Sequence, residues 1–355
     1  MPQLDRIENA LICTGWNRAR VRLLARFLVA LIACRSVCLY RLAAALPGEA
    51  KTLSHFRRLQ RFVAHFDLDT AALARLVLTL SGLCAPFALA MDRTNWRLGK
   101  TELNLLVLAV VHRGVAFPVF WSVLAKSGNS NLAERKALLG RFVAVFGKQS
   151  IAYLLADREF CGRAFAAWLQ KEGIGFVVRV RGNVRMTNAR GQVRTARALF
   201  WNQKSGQALP LGRRHVFGGK PLALYVAGMR LPQGDFAIVI SDTEEALLER
   251  YGRRWGIETL FSCLKRRGFD LEGTHLTRPE RLERLLAVLA LAFVWAYVSG
   301  AWLYEQQPWR VKKHGRLARS LFRAGLDWLQ RLFLPLCGGT SPSEFDRVVR
   351  FLSCT

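Results

Sequence analysis

Three acids stand where phosphodiester chemistry would need them. Asp92 ends the apolar run Phe87-Ala88-Leu89-Ala90-Met91, and Asp157 ends Ile151-Ala152-Tyr153-Leu154-Leu155-Ala156. A single acid at the end of an apolar strand usually just starts a turn; two of them in one strongly basic chain point to a site. Cleaving a phosphodiester at neutral pH requires a strong nucleophile and relief of charge on the attacking and leaving oxygens, which two divalent ions ~3.5–4 Å apart supply. Mg²⁺ is a hard ion, so its protein ligands should be carboxylates. The third acid, Glu258, belongs to the series Tyr251, Arg254, Glu258, Lys265, spaced by three, four and seven residues. At about 100° per residue these four fall within roughly 60° of arc on one helical face. That face carries a phenol, two cations and a carboxylate, while Trp255, Leu260 and Leu264 supply apolar positions elsewhere. Gly252 and Gly256 weaken such a helix and leave room for a strand or a DNA backbone to come close. A solvated helix side is the plainer alternative.

These residues need a scaffold. Residues 1–85 read as helical and basic, with Pro47-Gly48 as a turn and a helix through 54–62 that presents Arg57 and Arg61 on one face, beside Arg58, against Phe56, Leu59 and Phe62 on the other. Arg57 and Arg61 are candidate DNA contacts; an ordinary amphipathic helix reads the same way. Three strands, ending at Asp92 and covering 103–112 and 116–124, predict an antiparallel meander with a turn at His112-Arg113-Gly114. A helix over 132–146 stopping at Gly147, a strand over 151–157, a helix over 165–172 and a strand over 176–180 follow. The Gly- and Arg-rich stretch from 181 reads as an inserted β-rich module, and 236–240 returns to strand. Asp242 and Glu245 have capping-box spacing and predict one long helix running to Gly268. The resulting division is 1–85 helical and DNA-binding, 86–180 and 236–304 catalytic core, 181–235 basic insertion, and 305–355 a basic helical tail.

Charge narrows the function. The chain has 53 Lys and Arg against 25 acids, a net +28, and between Phe176 and Ile240 eleven cations face one acid, Asp235. Such an excess repels itself unless a polyanion shares the surface, and nucleic acid is the favoured one. The eight cysteines show no C-x-x-C pair or zinc-finger spacing, and most lie in apolar surroundings as small core residues, which fits a reducing cytoplasm. The N-terminal residues carry acids and no early apolar run, unlike a signal peptide. Leu285 to Tyr304 is twenty residues without a charge, long enough to span a bilayer. A buried helix packed on the catalytic sheet is the preferred reading, with no membrane partner. Glu159, close to Asp157, is expected to point away from the site.

Tyr251-x2-Arg254-x3-Glu258-x6-Lys265 resembles the Y-R-E-K signature of IS4-family insertion-sequence transposases. Met91-Asp92-Arg93-Thr94-Asn95-Trp96 is similar to the block around that family's first catalytic Asp, and Ala156-Asp157-Arg158-Glu159-Phe160 to the block around the second. Gly268 to Thr277 resembles the family's continuation, and the likeness covers about residues 86–295. It implies an α/β fold: an RNase H-like mixed-sheet core carrying a D-D-E triad of Asp92, Asp157 and Glu258, with a β-rich insertion before the Glu. The triad would hold two Mg²⁺ ions, with Mn²⁺ able to substitute. Tyr251, Arg254 and Lys265 would hold phosphates of the cleaved end. The implied activity is cut-and-paste transposition: strand cleavage at the element ends, in studied relatives through a hairpin, then strand transfer to target DNA. The implied partners are double-stranded DNA (terminal inverted repeats and target) and a second copy of the chain, in the bacterial cytoplasm at the nucleoid. Relatives use an aromatic of the insertion to stabilise a flipped base; Trp201 is a candidate, and a core Trp is an equal reading. Two alternatives remain: a catalytically inactive, transposase-derived DNA-binding regulator, and another RNase H-like DNA nuclease.

Overall fold

The computed structural model describes residues 16–313, 315 and 317–334. Four helices lead the chain: α1 (Arg18–Cys34), α2 (Leu39–Ala45), α3 (Thr52–His65) and α4 (Thr70–Leu80). Asn17 caps α1 by accepting from the Ala19 N–H at 2.9 Å, and Asp69 caps α4 through the N–H groups of Ala71 and Ala72. On α3 the spacing sorts the faces as expected. His55, Leu59, Phe62 and Val63 are buried, and Arg57, Arg58 and Arg61 are exposed.

The meander follows: β1 (Phe87–Leu98), β2 (Thr101–His112) and β3 (Val115–Leu124), antiparallel in sequence, with Arg113 and Gly114 turning between the last two at positive φ. After α5 (Leu132–Phe146), whose N-terminus carries a capping box from Asn131 and Glu134, come β4 (Ile151–Ala156), α6 (Arg163–Glu172) and β5 (Phe176–Arg179). The strands β4 and β5 run parallel to β1, so the first five lie in the order 3-2-1-4-5 with β2 alone reversed. This is the mixed α/β, RNase H-like arrangement that the resemblance implies.

Strand β1 does not end at Asp92. It runs on to Leu98, paired to β2 throughout, so Asp92 lies in mid-strand while Asp157 is the first residue past β4. The basic stretch is also not a separate sheet. It forms β6 (Arg185–Thr187), β7 (Val193–Thr195), the single turn α7 (Ala196–Leu199), β8 (Ala208–Val216) and β9 (Leu222–Arg230). With β10 (Phe236–Ser241) these strands continue the core sheet past β5, completing ten strands in the order 3-2-1-4-5-10-9-8-6-7.

The predicted long helix is two: α8 (Leu247–Arg253) and α9 (Trp255–Leu264). Asp242 caps neither, because its carboxylate accepts the Phe176 N–H at 2.8 Å across the strands, and α8 starts instead at Ala246 in the left-handed region. The break falls at Arg254, where hydrogen bonds tighten to three-residue spacing, Arg254 N–H to Tyr251 C=O and Ile257 N–H to Arg254 C=O, both 3.0 Å. The helix ends at Leu264, before Gly268. Leu260 and Leu264 are buried as expected, but Trp255 is 58% exposed.

The apolar stretch forms most of α10 (Pro279–Gln306), buried from Leu285 to Tyr297 against β3 and enclosed by α1, α3, α4 and α11 (Leu321–Phe333). It is long and apolar enough to cross a membrane, yet its apolar surface is already covered by the rest of the chain. Glu283 ties it to the sheet edge, accepting the Trp121 indole N–H at 3.2 Å through its carbonyl and the Val123 N–H at 3.0 Å through its carboxylate. Beyond it, α11 is a packed amphipathic helix; the expectation for 335–355 lies outside the described residues. Of the cysteines only Cys263 is buried among the described residues, against the expectation of core positions, while Cys34, Cys38 and Cys161 are half-buried and Cys84 is exposed. Cys13, Cys337 and Cys354 lie outside the described residues.

Candidate active site

The parallel pairing of β1 with β4 ends at Met91 opposite Ala156, which leaves Asp92 and Asp157 side by side at the end of the ladder. Helices α8 and α9 bring the other four residues alongside. The Tyr251 hydroxyl donates to Asp157 Oδ1 at 2.9 Å. Arg254 Nη1 donates to Asp92 Oδ2 at 2.9 Å, and Nη2 bonds the Glu258 carboxylate. Lys265, just past α9, reaches farther along β1: its Nζ lies 3.5 Å from the Asn95 carbonyl, 2.8 Å from Glu272 and 5.5 Å from the centre of the Trp96 ring. The Y-R-E-K residues therefore share one face despite the break, and that face lies along β1.

Gly256 explains how the helix comes so near. A Cβ there would stand 2.6 Å from the Val115 carbonyl oxygen, so only glycine lets α9 press on the backbone of β3. At Gly252 a Cβ would meet nothing within 4 Å. Of the two small residues, only Gly256 serves a close approach within the chain, and what it admits is a strand.

The electrostatics separate the two aspartates. Burial pushes the Asp92 carboxyl up to about 6; Arg254 and the Arg93 N–H pull it down, and the fields of Asp157 and Glu258 push it up again. For Asp157 burial also pushes upward, but the Arg158 N–H, the Arg254 charge and the Tyr251 hydroxyl together hold it below its ordinary value. Burial raises the Tyr251 phenol, so it stays protonated and able to donate. Arg254 is 5% exposed and its Nε has no partner. Among the described residues no three His, Cys, Asp or Glu are already grouped to hold a metal ion, because Arg254 stands between Asp92 and Glu258. The donor set nonetheless fits a hard divalent ion. All three candidates are carboxylates, and the half-buried Asp92 has a need for positive charge that the Arg254 guanidinium meets in this structure.

Arg57 and Arg61 belong to a different surface. Arg61 lines an open groove of about 270 Å³ with Arg20, Arg58, Phe62 and His65. Trp201 is 61% exposed with the Arg197 guanidinium 5.5 Å from its ring centre, which removes the core-Trp reading. A second cleft, about 460 Å³, lies between Arg158, Arg179, Arg181 and Asp235; nothing in the sequence marked it.

Glu159 lies in the turn after β4, and its carboxylate is engaged by Arg93. Asn104, a fully buried amide inside the apolar run of β2, completes that contact, and its polarity in such a run is the one signal that could have flagged it.

No curated protein matches the chain. Among solved structures, that of piggyBac transposase in a synaptic complex with hairpin DNA is similar with a TM-score of 0.45 and 11% identity, covering 99% of this chain and 83% of that one. The Transposase DDE domain family matches residues 88–295, more than half of the chain and a span that includes all three acids and Tyr251, Arg254 and Lys265. The chain thus belongs to the Transposase DDE domain family.

Proposed function

We propose that this protein is an IS4-family insertion-sequence transposase that moves its element by cutting and pasting. The observation that carries the reading is the convergence of Asp92, Asp157 and Glu258 with Tyr251, Arg254 and Lys265 along β1. A merely solvated helix face would have no reason to seat a phenol and a guanidinium on these two aspartates, one in mid-strand and one just past a strand.

Asp92, Asp157 and Glu258 would hold two Mg²⁺ ions, or Mn²⁺ in their place. When bound, such ions relieve the charge on the attacking and leaving oxygens at phosphorus and activate the nucleophile. The chain's own residues orient and bind. The Tyr251 hydroxyl fixes the Asp157 carboxylate, and Arg254 offers a planar fork suited to bidentate phosphate binding. Lys265 supplies a point charge farther along β1, where the strand beyond the scissile bond would run. Arg57 and Arg61 contact duplex DNA away from the chemistry, at the terminal inverted repeats or the target. Trp201, exposed in the turn between α7 and β8, is available to stack on a base. The protein works as a homodimer on paired ends, in the bacterial cytoplasm at the nucleoid, without a membrane partner.

The test is cleavage of a plasmid carrying the gene's own flanking DNA in Mg²⁺, with wild type and Glu258→Gln compared. Cuts at the element boundary that vanish in the variant support the reading. Boundary binding without cleavage by wild type would replace it with an inactive, regulatory descendant.

A further inference from the structure

Arg93 and Glu159 take no part in the reading above, yet they occupy the one place where the backbone leaves the site unfixed. The β1–β4 ladder stops at Met91 and Ala156, one residue short of both aspartates. Past that point side chains make the connection. Arg93, next to Asp92, donates from Nε to Glu159 Oε1 at 2.8 Å and from Nη2 to Oε2 at 3.0 Å, a two-pronged pair with the residue two beyond Asp157. Its Nη1 donates to Asn104 Oδ1 at 3.0 Å and its Nη2 also to Asn129 Oδ1 at 3.2 Å.

The partners are themselves held. Asn104 donates to the carbonyls of Lys126 and Gly128 at 3.0 and 2.8 Å. Arg135, buried on α5, donates to the Ser130 carbonyl at 2.6 Å and to the Glu159 carbonyl at 3.3 Å, with its guanidinium 4.8 Å from the Phe160 ring centre. The contacts close a ring from β1 to the 157–161 turn, to Ser130, and back along the 126–130 loop to Asn104. An isolated surface ion pair would contribute little. Here the side chains are only 13% and 19% exposed, and the geometry is bidentate.

We propose that the Arg93–Glu159 pair is a positioning device that sets the separation of Asp92 and Asp157, and through it the affinity of the site for divalent ions. This rests on the reading that the two aspartates hold metal, but neither Arg93 nor Glu159 is a ligand.

The test is Mn²⁺ binding to the full chain, followed by electron paramagnetic resonance, for wild type, Glu159→Gln, Arg93→Lys, Asp157→Asn and Glu172→Gln. Glu159→Gln keeps the shape and loses the charge; Arg93→Lys keeps the charge and loses the fork. Both should bind Mn²⁺ about 10–100-fold more weakly, the usual effect of removing a partner behind the metal ligands, with near-ultraviolet circular dichroism and metal-free DNA binding as in wild type. Glu172→Gln, which breaks a remote exposed pair with Lys148, should bind as wild type does. Should Glu159→Gln fail to fold, Asn129→Ala removes only the outermost bond to Arg93 and should show a smaller loss. Wild-type affinity in a folded Glu159→Gln, or in Asn129→Ala where that variant has to decide, overturns the proposal. Wild-type affinity in Asp157→Asn overturns the metal-site reading, and this proposal with it.

Discussion

Asp92 carries a pH dependence whose sign follows from its surroundings. Its carboxyl is raised to about 6 from an ordinary 3.8, first by burial. A carboxyl raised in the folded state binds its proton more tightly there than in the unfolded chain. Its contribution is therefore fully present below about pH 4 and is lost as pH rises through 6. Two units correspond to about 3 kcal/mol. In metal-free protein, urea unfolding of wild type and Asp92→Asn should show wild type losing about that much relative to the variant between pH 4 and 7. A constant difference across that range would mean Arg254 neutralises Asp92 fully. Arg254 itself should be sensitive: Arg254→Gln leaves the half-buried Asp92 without its partner, and breaking a largely buried pair costs about 3–5 kcal/mol. The same unfolding experiment at pH 7 reads it, and Arg254→Lys should recover part of the loss.

Among the elements, the junction of α9 with β3 is the most sensitive. Gly256→Ala would set a methyl 2.6 Å from the Val115 carbonyl, and the helix bearing Glu258 must retreat. A destabilisation of about 1–3 kcal/mol is expected, with a fall in boundary cleavage larger than the loss of folded protein explains. Gly252→Ala, with open space around it, should instead stabilise α8 by up to about 1 kcal/mol. Unfolding midpoints of the two variants should move in opposite directions. How far such elements were legible follows the range of the interactions that make them. The meander, α5 with its stop at Gly147, and the apolar helix α10 were readable because periodicity and end signals are local. The capping box at Asp242 misled because its carboxylate is claimed by Phe176, a partner 66 residues away. The break at Arg254 was hidden for a similar reason, since Asp92 on β1, a partner 162 residues away, claims that side chain. Of the site, the three acids and the Y-R-E-K face were legible from spacing. The Arg93–Glu159 ring was not, because it joins β1, β2, two loops and α5.

At the scale of the whole molecule, one continuous sheet places β1 and β4, whose ends bring Asp92 and Asp157 together, between two cationic regions. The helices α4 and α10 pack on β3 at one end, with α3 and its exposed Arg57 and Arg61 beyond. At the other end β6 and β7 close the sheet with exposed arginines, among them Arg190 and Arg194 in and beside their turn. Ten strands at ~4.8 Å separation span roughly 43 Å, about the length of a dozen base pairs. A DNA end lying across the acids would thus meet both cationic regions. Each phosphate contact steepens the fall of binding with salt, and each one removed lowers the slope by about 1. Arg57→Ala/Arg61→Ala and Arg190→Ala/Arg194→Ala should each reduce the slope for an element-end duplex, measured by fluorescence anisotropy between 50 and 200 mM salt. Because the two regions lie at opposite ends of the sheet, their effects should add in the fourfold variant. A slope unchanged by one pair would mean that the duplex lies over only the other end of the sheet, and the axis of bound DNA would then run along β1 rather than across it.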